Sequence, residues 1–165
     1  MSLTLARPAT VADVMSAPVY SLDQEDTLKE AAVMLSTARI SGAPVVDGSG
    51  KLVGILTEAD ILRALEGEAE KAKLVPEEGY AHVLKVLPYR EIAPKVLESL
   101  ARAKVRDVMS HVVVTAARGT SLDEAAREMT ERGVNRLPVV EDDRVIGIIS
   151  RADIVKALAR FHTGT

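Results

Sequence analysis

The sequence contains no cysteine and no tryptophan, and with one phenylalanine and three tyrosines its aromatic residues amount to 2% of the chain. The missing cysteine removes disulfides, thiolate metal sites and thiol catalysis, and it fits a cytoplasmic protein. The scarcity of rings means that the core is built from Val, Ile, Leu, Ala and Met. It also leaves almost nothing on which nucleic-acid bases would stack. Neither sign of charge dominates: 21 Lys and Arg stand against 24 Asp and Glu, for a net charge of −3. A protein that grips phosphate backbones is usually basic, so this balance weighs against nucleic acid. No apolar run approaches the length of a membrane span, and the first residues lack the charged-then-apolar pattern of an export signal. No membrane partner is expected.

Catalytic patterns are missing too. There is no Walker-type loop, no Gly-x-Gly-x-x-Gly and no Gly-x-Ser-x-Gly elbow. The three histidines, His82, His111 and His162, are too scattered for metal-ligand spacing, and each is expected at the surface. Neither an enzyme nor a metal site is expected.

What the chain does contain is a duplication. Its 165 residues, 47% apolar and 27% charged, suffice for one ordinary domain or two very small ones. Val11 to Leu65 can be laid on Val105 to Leu158 with a single one-residue gap near Lys51. Asp13-Val14-Met15-Ser16 then falls on Asp107-Val108-Met109-Ser110, Pro44-Val45-Val46 on Pro138-Val139-Val140, and Ala59-Asp60-Ile61 on Ala152-Asp153-Ile154.

Each copy opens with a short turn or helical approach, the head, followed by a brief extended piece, Val19 to Ser21 or Val113 to Thr115. Leu28, Ala31, Ala32 and Leu35, like Leu122, Ala125, Ala126 and Met129, recur at helical spacing. Thr27 with Glu30, and Ser121 with Glu124, read as capping boxes, and Gly133 reads as a residue just past a helix end. Two strands follow, Ala43 to Val46 and Leu52 to Leu56 in the first copy, with turns at Asp47 to Gly50 and at Asp142-Asp143. A closing helix starts at Thr57 or Ser150. A unit of about 55 residues buries too little surface to be secure alone, so the two copies are expected to form one module.

The boundaries expected from the pattern are 8–65 for the first copy, 66–103 for an intervening helical segment and 104–160 for the second copy. Within the segment, Glu77 to Leu87 reads as helical, and a further helix starts near Ala93-Pro94. Extra helices or a dimer contact is the structural expectation for it.

Chemistry concentrates in the closing phrases, Gly54-Ile55-Leu56-Thr57-Glu58-Ala59-Asp60 and Gly147-Ile148-Ile149-Ser150-Arg151-Ala152-Asp153. In each, a strand hands over to a helix N-terminus, a hydroxyl stands at the junction and a carboxylate follows three positions later. The amides and dipole of such a junction suit an anion, and the carboxylate suits a sugar hydroxyl. The same spacing is also that of a capping box, which needs no ligand. Both readings stand on the residues alone.

With Asp-Val-Met at its head, Pro-Val-Val in its middle and the closing phrase at its end, the repeated unit resembles a CBS domain. The pair resembles a Bateman module over about two thirds of the chain, and no accompanying catalytic or transport domain is expected. The resemblance implies an α/β (α+β) fold of two β-α-β-β-α units packed through their sheets with pseudo-twofold symmetry. It implies clefts for adenosyl ligands, AMP, ADP, ATP or S-adenosylmethionine, acting as regulatory ligands and not as catalytic cofactors. The closing Asp would accept ribose hydroxyls, and the residues before Pro-Val would frame the adenine.

Carried over in crossed fashion, one cleft would join Thr57 and Asp60 to Val113, Val114, Val134, Asn135, Arg136 and Pro138. The other would join Ser150, Arg151 and Asp153 to Val19, Tyr20, Ile40, Ser41, Gly42 and Pro44. Arg136 would meet phosphate where its counterpart is Gly42, so the Arg136 cleft is expected to be the stronger. Arg39 departs from the resembled pattern, which has Gly at that helix exit. A homodimer and an effector protein of unknown identity are further implications. The alternatives are a ligand-free interaction or dimerisation module and, more weakly, nucleic-acid binding.

Overall fold

The computed structural model describes residues 9–71, 94, 98–99 and 101–162. The expected helices at Glu77 to Leu87 and near Ala93, with Tyr80, His82 and Tyr89, lie outside these residues. Among the described residues no helix is long and apolar enough to cross a membrane.

The chain is of mixed α and β structure and divides into two compact units. One unit is formed by Tyr20–Ser49 with Val53–Val112. It contains β1 (Leu22–Asp23), α1 (Leu28–Ala38), β2 (Gly42–Val46), nearly all of β3 (Leu52–Thr57), α2 (Glu58–Lys71) and the short helix α3 (Val105–Val108). The other unit is formed by Met1–Val19, Gly50–Leu52 and Val113–Thr165. It holds a 3-10 turn (Val11–Asp13), α4 (Leu122–Glu131), β4 (Arg136–Glu141), β5 (Arg144–Ser150) and α5 (Arg151–His162).

The units therefore do not coincide with the copies seen in the sequence. Each takes its head from the other copy. Val105 and Met109, from the second head, are buried with Leu22, Leu28, Leu35, Val45 and Leu56. Val11, from the first head, is fully buried with Ala125, Met129, Leu137, Val139 and Ile149. Backbone hydrogen bonds fasten each head in place: Val105 N donates to Asp26 O (2.8 Å), and Val11 N donates to Thr120 O (2.8 Å).

The β1–β2–β3 sheet places β1 parallel to β2, with Leu22 opposite Val45. In the other unit β4 and β5 are antiparallel, and Ala116 bridges Val139 in parallel. Leu22 and Ala116 are counterparts, as are Val45 and Val139, so both units use one register. The extended pieces expected at Val19–Ser21 and Val113–Thr115 are thus displaced toward the C-terminus. Strand-favouring residues such as Val19, Tyr20 and the run Val113 to Thr115 point to the earlier positions, but pairing starts where a buried side chain, Leu22 or Ala116, enters the core.

Local signals place the helix ends. Thr27 and Glu30 form a complete capping box on α1, whereas at α4 only half of one is made, with Glu124 N donating to Ser121 Oγ (3.2 Å). Helix α1 exits through Arg39 in the left-handed region (φ 54°), and the corresponding exit of α4 is Gly133 (φ 65°). The hairpin β4–β5 turns through Asp142 and Asp143, both at positive φ (49° and 62°), as a tight two-residue turn requires.

Candidate functional site

Strand β3 ends at Thr57 and α2 begins at the next residue, while β5 ends at Ser150 and α5 begins at Arg151. At the first junction, Thr57 N (2.7 Å) and Thr57 Oγ1 (2.6 Å) both donate to Asp60 Oδ2, and Asp60 N donates back to Thr57 Oγ1 (3.4 Å). At the second, Ser150 N (2.8 Å) and Oγ (2.7 Å) donate to Asp153 Oδ2, and Asp153 N donates to Ser150 Oγ (3.3 Å). Both phrases are capping boxes built with the shorter acid. Each leaves its carboxylate one further oxygen with which to accept a hydrogen bond.

The two remaining oxygens differ. Asp60 is 7% exposed, the one buried charged residue among those described, and its Oδ1 is taken by the Arg63 guanidinium one helical turn on. Asp153 is half-buried, and no hydrogen bond from a described residue reaches its Oδ1. It borders a cavity of about 160 Å³ lined also by Val14, Lys156, Ala157 and Arg160.

At each junction a backbone hydrogen bond joins residues of the same copy. Glu58 N donates to Ser41 O (3.0 Å), so the chain entering β2 closes over the first amide of α2. Arg151 N donates to Asn135 O (3.0 Å) in the same way, and Arg136 stands opposite Ser150 in the β4–β5 ladder. Gly42 and Pro44 are buried in β2, Ile40 is half-buried against the core, and Tyr20 is 63% exposed. In the other unit Val113, Val114, Val134 and Arg136 are half-buried, Pro138 is buried, and Asn135 is exposed. Val19 is half-buried and belongs to this unit.

The pairing within each unit sets which residues share a junction. It puts Arg136 and Arg151 on the junction that carries Asp153, and Gly42 and Glu58 on the junction that carries Asp60. Arg151 is steadied there by its Nη2, which donates to Met129 O (3.3 Å) at the end of α4. The ladder is the cause: β4 lies beside β5 so that its apolar side chains enter one core, and Arg136 is carried to Ser150 with it.

Sequence reasoning passes over Arg63, although its spacing of three from Asp60 is in plain view, because exposed arginines on helices are common. Among the described residues no cluster of His, Asp and Glu is arranged to hold a metal.

A larger groove, about 700 Å³, runs along the outer face of α1 and is lined by Tyr20, Lys29, Val33, Met34, Thr37 and Ala101 among others. Of the expected site residues it includes only Tyr20.

The family model for the CBS domain matches this chain twice, at residues 11–67 and 105–160. An uncharacterised protein of Methanocaldococcus jannaschii is 33% identical over 152 residues, covering 90% of each chain. Several other curated relatives are much longer, and this chain spans less than half of their length. Among solved structures, the CBS domain of a CBS domain-containing membrane protein from Sphaerobacter thermophilus superposes with a TM-score of 0.71 at 32% identity, covering 91% of this chain and 88% of that one. The CBS domain pair of protein MJ0100, in complex with 5′-methylthioadenosine and S-adenosyl-L-methionine, superposes with a TM-score of 0.69 at 26% identity, covering 93% and 98%.

Proposed function

The chain belongs to the CBS-domain family, and we propose that within it this protein is a regulatory module that binds an adenine nucleotide at its strand-to-helix junctions. The observation that carries the reading is the second junction, where no hydrogen bond from a described residue reaches Asp153 Oδ1, Arg151 follows Ser150 in the chain and Arg136 is the ladder partner of Ser150. A ribose diol donates to the carboxylate, the two guanidinium groups meet phosphate, and Val113, Val114, Val134 and Pro138 offer apolar surface to the base. AMP, ADP and ATP fit this charge pattern better than S-adenosylmethionine, whose sulfonium would face two arginines.

Ligand acts here by favouring one arrangement of the protein over another, which requires a difference in affinity between the two. We read the protein as a binding module and not an enzyme, cytoplasmic, assembling as a homodimer and signalling to an effector protein. The likeness to a CBS pair holding adenosyl compounds supports the ligand class.

Calorimetric titration with AMP, ADP, ATP and S-adenosylmethionine, paired with thermal-shift measurements, tests the proposal. Saturable heat with at least one nucleotide is expected. No heat and no shift with any of the four would overturn it.

A second reading is favoured by the completeness of both capping boxes: the phrases do nothing but start helices, and the module binds another protein without a small ligand. Asp153→Asn separates the two readings, since the Asn side-chain oxygen can still accept the hydrogen bonds from Ser150 but carries no charge. Loss of nucleotide binding in a variant that stays folded excludes the second reading.

A further inference from the structure

The two closing carboxylates are equivalent in sequence and in their capping bonds, yet only one is covered. Oδ2 of each already accepts two hydrogen bonds from its own cap. A diol arriving at either junction must therefore use Oδ1. At Asp60 that oxygen is held by Arg63, whose side chain is 67% exposed while the carboxylate is 9% exposed. The residue in the same place after Asp153 is Lys156, and no hydrogen bond or ion pair from it reaches Asp153 among the described residues.

We propose that Arg63 is an internal competitor for the ribose-accepting oxygen of Asp60, so that the two junctions fill in order, Asp153 first and Asp60 second. The inference rests on the nucleotide-binding reading and adds to it the residue that sets the difference between the sites. An ion pair between helix neighbours that opens to water is weak, worth at most about a fivefold factor in an equilibrium. Arg63 thus lowers the affinity of its site without closing it. The guanidinium is displaced by rotating out into solvent, and no buried group is left unpaired, because the incoming hydroxyl takes its place on Oδ1. Local charge acts in the same direction: Glu58 stands at the first junction where Arg151 stands at the second.

Adenosine is the informative probe, because it carries the diol and no phosphate. In the Asp153→Asn background, which isolates the first junction, Arg63→Ala is expected to tighten adenosine binding about two- to fivefold. Arg63→Lys, with a shorter and non-planar head, should fall between the two. In the otherwise unaltered protein, AMP titration should resolve two unequal steps that draw closer together in Arg63→Ala. Unchanged adenosine affinity in Arg63→Ala would overturn the competitor role, and so would equal affinities of the two sites in the unaltered protein. Weaker AMP binding with unchanged adenosine binding would overturn it as well, by making Arg63 a phosphate ligand. Absence of binding by every variant and by the unaltered protein defeats the nucleotide reading itself, and the competitor with it.

Discussion

The thioether of Met109 lies against the backbone of Gly54, where a Cβ added to the glycine would overlap Sδ and meet Cγ at 2.9 Å and the Ser110 carbonyl oxygen at 2.9 Å. Met15 stands in the same relation to Gly147, its Sδ overlapping the added carbon. The methionine of each head thus fills the hollow left by the glycine that opens the other copy's closing phrase. Beside the glycines, Ile55 and Ser110 exchange two backbone hydrogen bonds (3.0 and 2.9 Å), as do Ile148 and Ser16 (3.1 and 2.9 Å). These contacts explain the glycines without any ligand.

Gly54→Ala is expected to destabilise the fold by about 1–3 kcal/mol, the usual range for overpacking, because the Ser110 carbonyl cannot swing aside. Gly147→Ala should cost less, since the three atoms nearest its added carbon all belong to the flexible Met15 side chain. Urea denaturation of the two variants, compared by midpoint, checks the order. Equal losses would show that both heads yield alike.

Removing the cap hydroxyl at each of the four boxes separates capping from binding. Thr27→Ala, Ser121→Ala, Thr57→Ala and Ser150→Ala should each lower stability by about 1 kcal/mol. Only the last two should also weaken nucleotide binding, because only they abut the carboxylates at the strand exits. Chemical denaturation and calorimetry on the same four proteins give both quantities.

Arg39→Gly should stabilise the protein, by up to about 1 kcal/mol. Arg39 occupies the left-handed region at the end of α1, which costs a side-chain-bearing residue roughly 1–2 kcal/mol, and glycine recovers this less its greater loss of chain entropy. The reverse change at the equivalent exit, Gly133→Arg, should destabilise. Thermal melts of the pair, moving in opposite directions, provide the check.

Glu30 supplies the pH dependence. Its carboxylate accepts from Thr27 N (2.8 Å) and Thr27 Oγ1 (2.8 Å), and these bonds, assisted by the charge of Lys104, hold its pKa below the ordinary 4.5. A depressed folded pKa adds stability that is present above the unfolded value and is lost as pH falls through the folded one. The advantage of the unaltered protein over Glu30→Gln should therefore be constant above about pH 5 and shrink below 4.5. Denaturation midpoints measured from pH 6 downward, in steps of about half a unit, would reveal a difference that fails to shrink.

Much of this architecture can be read along the chain. The duplication, the helix spacing of Leu28 to Leu35 and of Leu122 to Met129, the turn at Asp142-Asp143 and the hydroxyl-to-acid caps are all local patterns, and the structure contains them, the box at Ser121 only in half. They are legible because helix period, strand period and capping depend on residues only a few positions apart. The CBS resemblance drew on the same patterns.

Tertiary structure alone decided three further matters. It seated Val105 and Met109 among residues of the first copy and Val11 among those of the second, because a head's apolar side chains are buried wherever a core has room for them. It set Arg136 opposite Ser150, because the ladder of β4 and β5 sets neighbours across the sheet. And it distinguished two carboxylates of identical spacing, placing Arg63 on one and no described hydrogen-bond donor on the open oxygen of the other. No periodicity records these facts, since each depends on which surfaces meet when distant parts of the chain exclude water together.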